Sequence, residues 1–140
     1  MTVIGFSHIG LSVRDAARSA AFYSAAFGFE VGQRFDLSEG FERAGDAPPL
    51  PSVCQFVTRG PIELALIQYR SPEGSPVPRP MHQLGIANIG IIVEAIEPVA
   101  ELVEAYGGQV HRETLLNGPN GTFLHCSDPD GVRIELMTSR

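Results

Sequence analysis

The chain has 140 residues, 19% of them charged, and a net charge of −6. That length suits one compact domain, or two small modules sharing a core, and the acidic balance offers nothing to nucleic acid or an anionic membrane surface. No residue is lysine, which excludes a lysine Schiff base and a phosphate-loop lysine.

No run approaches the ~20 apolar residues of a membrane-crossing helix, and no basic region followed by an apolar run marks a leader. A cytoplasmic location is therefore expected. Cys54 and Cys126 are too few and too far apart for a disulfide framework or a Cys-type zinc site, and read as small buried hydrophobes.

Val3 to Val13, rich in β-branched and apolar residues, predicts a strand. Asp15 is placed to cap a helix over Ala16 to Phe27, where Ala20, Phe22, Tyr23, Ala26 and Phe27 share one face. Gly28 ends it. A strand over about Phe29 to Phe35 follows, then a loop over Asp36 to Ser52 that carries Phe41 and Leu50 and is a candidate lid. Val53 to Thr58 and Ile62 to Tyr69 form a hairpin around Arg59, Gly60 and Pro61. Arg70 to Pro80, crowded with Pro, Ser and Gly, reads as a linker.

The pattern then restarts. A strand over Leu84 to Val93 precedes a helix over Ala95 to Tyr106, with Pro98 tolerable in its first turn and Gly107 and Gly108 closing it. Strands follow near Gln109 to Glu113, Gly121 to Ser127 and Val132 to Met137, the last two joined by a turn over Asp128 to Gly131. Residues 1–70 and 83–140 thus form two β-α-β-β-β modules around a linker over 71–82, an α+β class. The repeat shows in the letters. Phe6-Ser-His-Ile-Gly-Leu-Ser-Val13 returns as Ile86-Ala-Asn-Ile-Gly-Ile-Ile-Val93, and Ile62-Glu-Leu64 as Ile134-Glu-Leu136. Neither module hides a sheet face alone, so the two pair within the chain or across a homodimer, which is the expected assembly.

Alternation assigns faces. With His8 on one side go Phe6, Gly10 and Ser12, leaving Ile9, Leu11 and Val13 toward the helix. Asn88, Gly90 and Ile92 match them, so polar residues share a face in both copies. Glu63 is the lone acid of an apolar strand, and burying it needs a metal, a proton or a cation. Glu135 is alike, with Arg133 as a nearby partner or as a site for a substrate anion. His8 otherwise reads as a hydrogen-bonded core histidine, and Asn88 as a strand amide. His125 shares its side with Phe123 and reads either as a proton shuttle or as a surface histidine near a turn. His82 and His111 read as solvated. Phe6, Phe56, Ile67, Phe123 and Met137 are candidates to line a substrate pocket, or plain core.

These segments resemble the vicinal oxygen chelate superfamily, which takes in glyoxalase I, methylmalonyl-CoA epimerase, extradiol dioxygenases and the fosfomycin and bleomycin resistance proteins. Ser7-His-Ile-Gly-Leu-Ser-Val13, Phe22-Tyr23, Phe27-Gly-Phe29, Ile62-Glu-Leu64 and Asp128-Pro-Asp-Gly-Val-Arg-Ile-Glu-Leu136 carry the likeness along nearly the whole chain. It implies a glyoxalase-like fold: two βαβββ modules curling into an open, cup-shaped mixed sheet with the helices outside. It implies a divalent metal on His8, Glu63, Asn88 and Glu135, with Asn88 standing where metal-dependent members often carry His. That exchange argues against an extradiol-type iron site and favours oxygen-loving Mg or Mn over Zn, Ni or Fe.

The implied activity is metal-assisted isomerase, epimerase or lyase chemistry by proton transfer next to a carbonyl of a small molecule. Glu63 or Glu135 would be the base, and His125 a shuttle or replacement ligand. Three alternatives stand beside it. The same residues without metal would perform acid–base catalysis, a cup without chemistry would sequester a drug or metabolite, and an extradiol dioxygenase comes last.

Overall fold

We describe residues 2–36, 52–69 and 79–138 in a computed structural model. The candidate lid lies outside these residues between 37 and 51, and so does the linker between 71 and 78. The chain divides into two compact units, drawn largely but not wholly from its two halves. Among the described residues, no helix is long and apolar enough to cross a membrane.

The first unit comprises β1 (Ile9–Ser12), α1 (Ala16–Phe27), β2 (Glu30–Asp36), β3 (Ser52–Arg59) and β4 (Ile62–Tyr69). Its sheet runs β1-β4-β3-β2, with β1 parallel to β4 and the other pairs antiparallel. Helix α1 keeps the expected bounds. Asp15 is extended and accepts the Arg18 N–H, while Gly28 closes the helix in the left-handed region at φ 67°. Both ends follow from residue chemistry: a carboxylate takes an orphan N–H, and only glycine enters that region without strain. The helix also borrows from the sheet, since the Gln68 side-chain oxygen accepts the Ala16 N–H at 2.9 Å. Gln68 alternates with Leu64 and Leu66, both fully buried, which marks the helix-facing side of β4. Phe22 and Tyr23 are fully buried, and Tyr23 meets Phe29 edge to face at 5.7 Å.

The second unit repeats the scheme with β5 (Ile89–Ile92), α2 (Ile96–Ala105), β6 (Gln109–Gly118), β7 (Gly121–Ser127) and β8 (Arg133–Met137). The order is β5-β8-β7-β6, again with the first strand parallel to its neighbour. Ala100 and Val103 of α2 are buried, as are Leu124, Cys126, Ile134 and Leu136 of the sheet. Arg112 of β6 grips α2 by two bonds to Glu97 and an ion pair with Glu104 at 3.5 Å. The turn after β7 is built by Asp128, whose carboxylate accepts the Asp130 and Val132 N–H groups.

Three expectations about strand limits need correction. The first strand starts at Ile9 and not Val3, and β5 starts at Ile89 and not Leu84. The cause is the same in both units. Ile9 pairs with Leu64 and β4 begins at Ile62, while Ile89 pairs with Ile134 and β8 begins at Arg133, so upstream residues soon run out of partner strand. Phe6 in consequence is 81% exposed. In the other direction, β6 runs five residues past Glu113, to Gly118.

The cysteines are free and buried. Burial pushes the Cys126 thiol up to about 12, with the Asp128 carboxylate adding to the effect. Burial also raises Cys54, helped by Glu63. Since the thiolate is the reactive form, Ellman's reagent at pH 8 is expected to find no thiol in the native protein and both after unfolding in guanidinium. Fast labelling of the native protein would contradict the packing of β3 and β7.

Candidate active site

In each unit, the candidate residues gather on the sheet side away from the buried aliphatic residues. In the first unit that face holds Gly10 and Ser12 of β1, Cys54, Phe56 and Thr58 of β3, and Glu63, Ala65 and Ile67 of β4, by alternation and register. His8 sits just before β1 and is exposed. Its Nδ1 lies 2.9 Å from the Ser7 hydroxyl and its ring stands edge-on to Phe56 at 5.5 Å. Phe35 stands edge-on to the same Phe56 at 5.8 Å. Glu63 is half-buried opposite Thr58. Gly10 leaves its place bare, and the Ile67 side chain reaches to 3.6 Å of where a Cβ would be.

The second unit sets polar groups on the same kind of face. His111, His125, Glu135 and Gly90 stand on one transverse row across β6, β7, β8 and β5, each opposite the next. Such directly opposed residues have Cβ atoms about 4.5–5.5 Å apart. Asn88, just before β5, donates its amide N–H to the Glu135 carboxylate at 2.8 Å. Arg133 lies opposite Ser127, and Met137 opposite Phe123, on that face. Met137 leans to 3.7 Å of the bare position at Gly90.

His125 is the site's unresolved polar group: its Nδ1 is buried with no hydrogen-bond partner among the described residues. Burial lowers its pKa first; Glu135 pulls it up, and Arg133 and His111 push it down. The imidazole is therefore neutral at pH 7. Its backbone is held by Thr114, whose hydroxyl accepts the His125 N–H and donates to the His111 carbonyl.

Of the residues read from the sequence, the row unites Glu135 and His125, with Asn88 bonded to it and Arg133, Phe123 and Met137 around it. His8, Glu63, Phe56 and Ile67 belong to the first unit's face. His82 lies exposed in a turn, as read. His111, read as solvated, is instead half-buried, and its Nε2 is 2.6 Å from the Ser127 hydroxyl. The reason is a bulge. Leu116 pairs with Phe123, yet five residues earlier His111 pairs with His125, only two residues later. That slip turns His111 onto the face it would otherwise miss.

The repeat itself also needs a correction. Gly10 faces Ala65, whereas its counterpart Gly90 faces Glu135. Ala65, then, is the spatial counterpart of Glu135, Phe56 that of His125, and Glu63 that of Arg133. The matching Ile-Glu-Leu letters are displaced by two residues along the strand.

The family model for the glyoxalase/bleomycin resistance protein/dioxygenase superfamily matches residues 5–136. The chain belongs to this superfamily. Among curated proteins it is 25% identical over 131 residues to a probable chloroplastic lactoylglutathione lyase of Arabidopsis thaliana, covering 93% of this chain. The chain spans 34% of that relative's length. Among solved structures, a glyoxalase family protein from Bacillus cereus shares the fold at a TM-score of 0.85 and 12% identity, covering 99% of this chain and 96% of the other. The fosfomycin resistance protein FosX of Listeria monocytogenes, in its tetragonal form, gives 0.67 at 18% identity, covering 99% and 94%. The superfamily fold is thus the frame on which this chain's own row of side chains is mounted: two four-stranded mixed sheets with two helices, in a glyoxalase-like α+β arrangement.

Proposed function

We propose that this superfamily member is an enzyme that moves a proton at a carbon next to a carbonyl of a small molecule, as an isomerase, epimerase or lyase. The observation that carries the reading is the Glu135 carboxylate, half-buried on an open sheet face, bonded by the Asn88 amide and flanked by Arg133. An acid buried in this way needs a hydrogen-bond partner, and here the Asn88 N–H is one. Glu135 is thereby oriented, and in this scheme it is the base. The plant relative's name, that of a lyase, supports the same class.

The family and that relative suggest a divalent metal. Within the second unit, the side chains around Glu135 do not by themselves fit one. Among the described residues, no three His, Cys, Asp or Glu side chains are placed to hold an ion, and Glu135 already engages one carboxylate oxygen with the Asn88 N–H. Side chains alone then carry the steps. Glu135 takes the proton, the C–H bond breaks, and its electron pair moves to the carbonyl oxygen as an enolate. Arg133, on the same face, supplies positive charge for that oxygen. The proton returns to the same carbon or, once the first carbon's hydroxyl proton has passed to the enolate oxygen, to the neighbouring one, and no external oxidant or reductant is needed.

The test is proton exchange in D2O, followed by 1H NMR on chelator-treated protein. The probes are hydroxyacetone and the hemithioacetal of methylglyoxal with glutathione. Carbon-bound deuterium in substrate or product is expected. Stoichiometric binding without exchange would overturn catalysis in favour of sequestration. Activity lost on chelation and restored by one divalent ion would overturn the side-chain mechanism.

A further inference from the structure

We infer that His125 and His111 form a proton relay that connects Glu135 to solvent, an assignment resting on the proton-transfer reading above. Three observations converge on it. First, His111, His125 and Glu135 are consecutive members of one transverse row, so each pair is within reach directly or through one water. Second, the buried Nδ1 of His125 lacks any partner among the described residues. A buried, unsatisfied ring nitrogen is costly and calls for an explanation, and a site that receives a proton in turn supplies one. Third, the far end of the row opens outward. The His111 side chain is 25% exposed, and its Nδ1 lies 3.9 Å from the carboxylate of Glu113, which is 77% exposed.

The groups facing His125 are His111 on β6, Arg133 and Glu135 on β8, and the Thr114 hydroxyl at the bulge. Thr114 fixes both histidine backbones at once, which gives the bulge a purpose beyond curvature. On the other side of His111, its Nε2 is hydrogen-bonded with the Ser127 hydroxyl at 2.6 Å.

The bookkeeping closes without redox. Glu135 holds the substrate's proton as a carboxylic acid and passes it to the neutral His125 ring. His125 releases a proton from its other nitrogen toward His111 and Ser127, and His111 discharges to water. The carboxylate is regenerated, and the reverse path brings a solvent proton to the enolate. The relay thus determines whether the product carries the substrate's own proton or one from water.

Two arms test this. In D2O with hydroxyacetone, His111→Ala is expected to slow exchange at low buffer by roughly ten- to a hundredfold, below the ~10²–10⁴ of losing the base itself. Added imidazole should restore it, which a merely structural defect would not permit. Exchange indifferent to His111→Ala at every buffer strength would overturn the relay.

The second arm needs no substrate. Long-range 15N spectra of the imidazoles are followed against pH in wild type, Glu135→Gln and His111→Ala, all with chelator. Removing the negative neighbour should lower the His125 midpoint, and removing His111 should raise it. Unchanged midpoints would sink the relay even if the enzyme turns over. Coupled midpoints without exchange of any probe would instead count against the proton-transfer reading.

Discussion

Replacing Glu135 by Gln is expected to lower kcat/KM by about 10²–10⁴, with kcat falling in the same proportion. The equal fall is the point, since it marks an interaction made only in the transition state. Gln has nearly the same shape, its carbonyl can still accept the Asn88 N–H, and the buried neighbours Ile134 and Leu136 are untouched. The thermal midpoint should therefore hardly move. Glu63→Gln is the informative control. Glu63 occupies the row equivalent to Arg133 in the other unit and pairs with Thr58 instead of a histidine. Its loss should reduce turnover less than that of Glu135. Full activity in Glu135→Gln would remove the base from the scheme.

Leu66→Ala should cost about 2–5 kcal/mol, while Ile67→Ala, one residue on, should cost less than half as much. Both are aliphatic residues of β4, and only their faces differ. Leu66 is fully buried on the side of Leu64 and Gln68, and Ile67 is half-buried on the open side over Gly10. Against a typical total of ~5–15 kcal/mol, the first change takes a large share of the stability. Urea denaturation checks both, read as a shift in midpoint at constant slope. Equal costs at the two positions would mean that the faces of β4 have been misassigned.

The local rules were the legible part of this chain. Asp15, the apolar stripe through Phe22 and Tyr23, and Gly28 specify α1 to the residue, because capping and periodicity act within a few positions. Alternation put His125 on the side of Phe123 and Glu135 on the side of Arg133 for the same reason, and the register sets the two opposite each other. What failed depended on partners distant in sequence. Nothing near Phe6 says that β4 begins at Ile62 and leaves the residues before β1 unpaired. His111 was misread because its face depends on a bulge three residues away, and the one hint was Thr114, a short hydroxyl able to staple two backbones. The repeated Ile-Glu-Leu letters misled in a third way, since similarity of sequence is not identity of rung.

That two-residue displacement bears on how the two halves came to differ. A slip by one residue would have turned every side chain of β4 inside out, whereas a slip by two keeps each on its face. Drift after a duplication could pass through that gate without losing the core. Anyone rebuilding a symmetric ancestor of this protein should therefore place the second acid at Ala65, with a histidine at Phe56, and leave Glu63 out of the design. Aligning the letters would install the pair one pleat away from where it belongs.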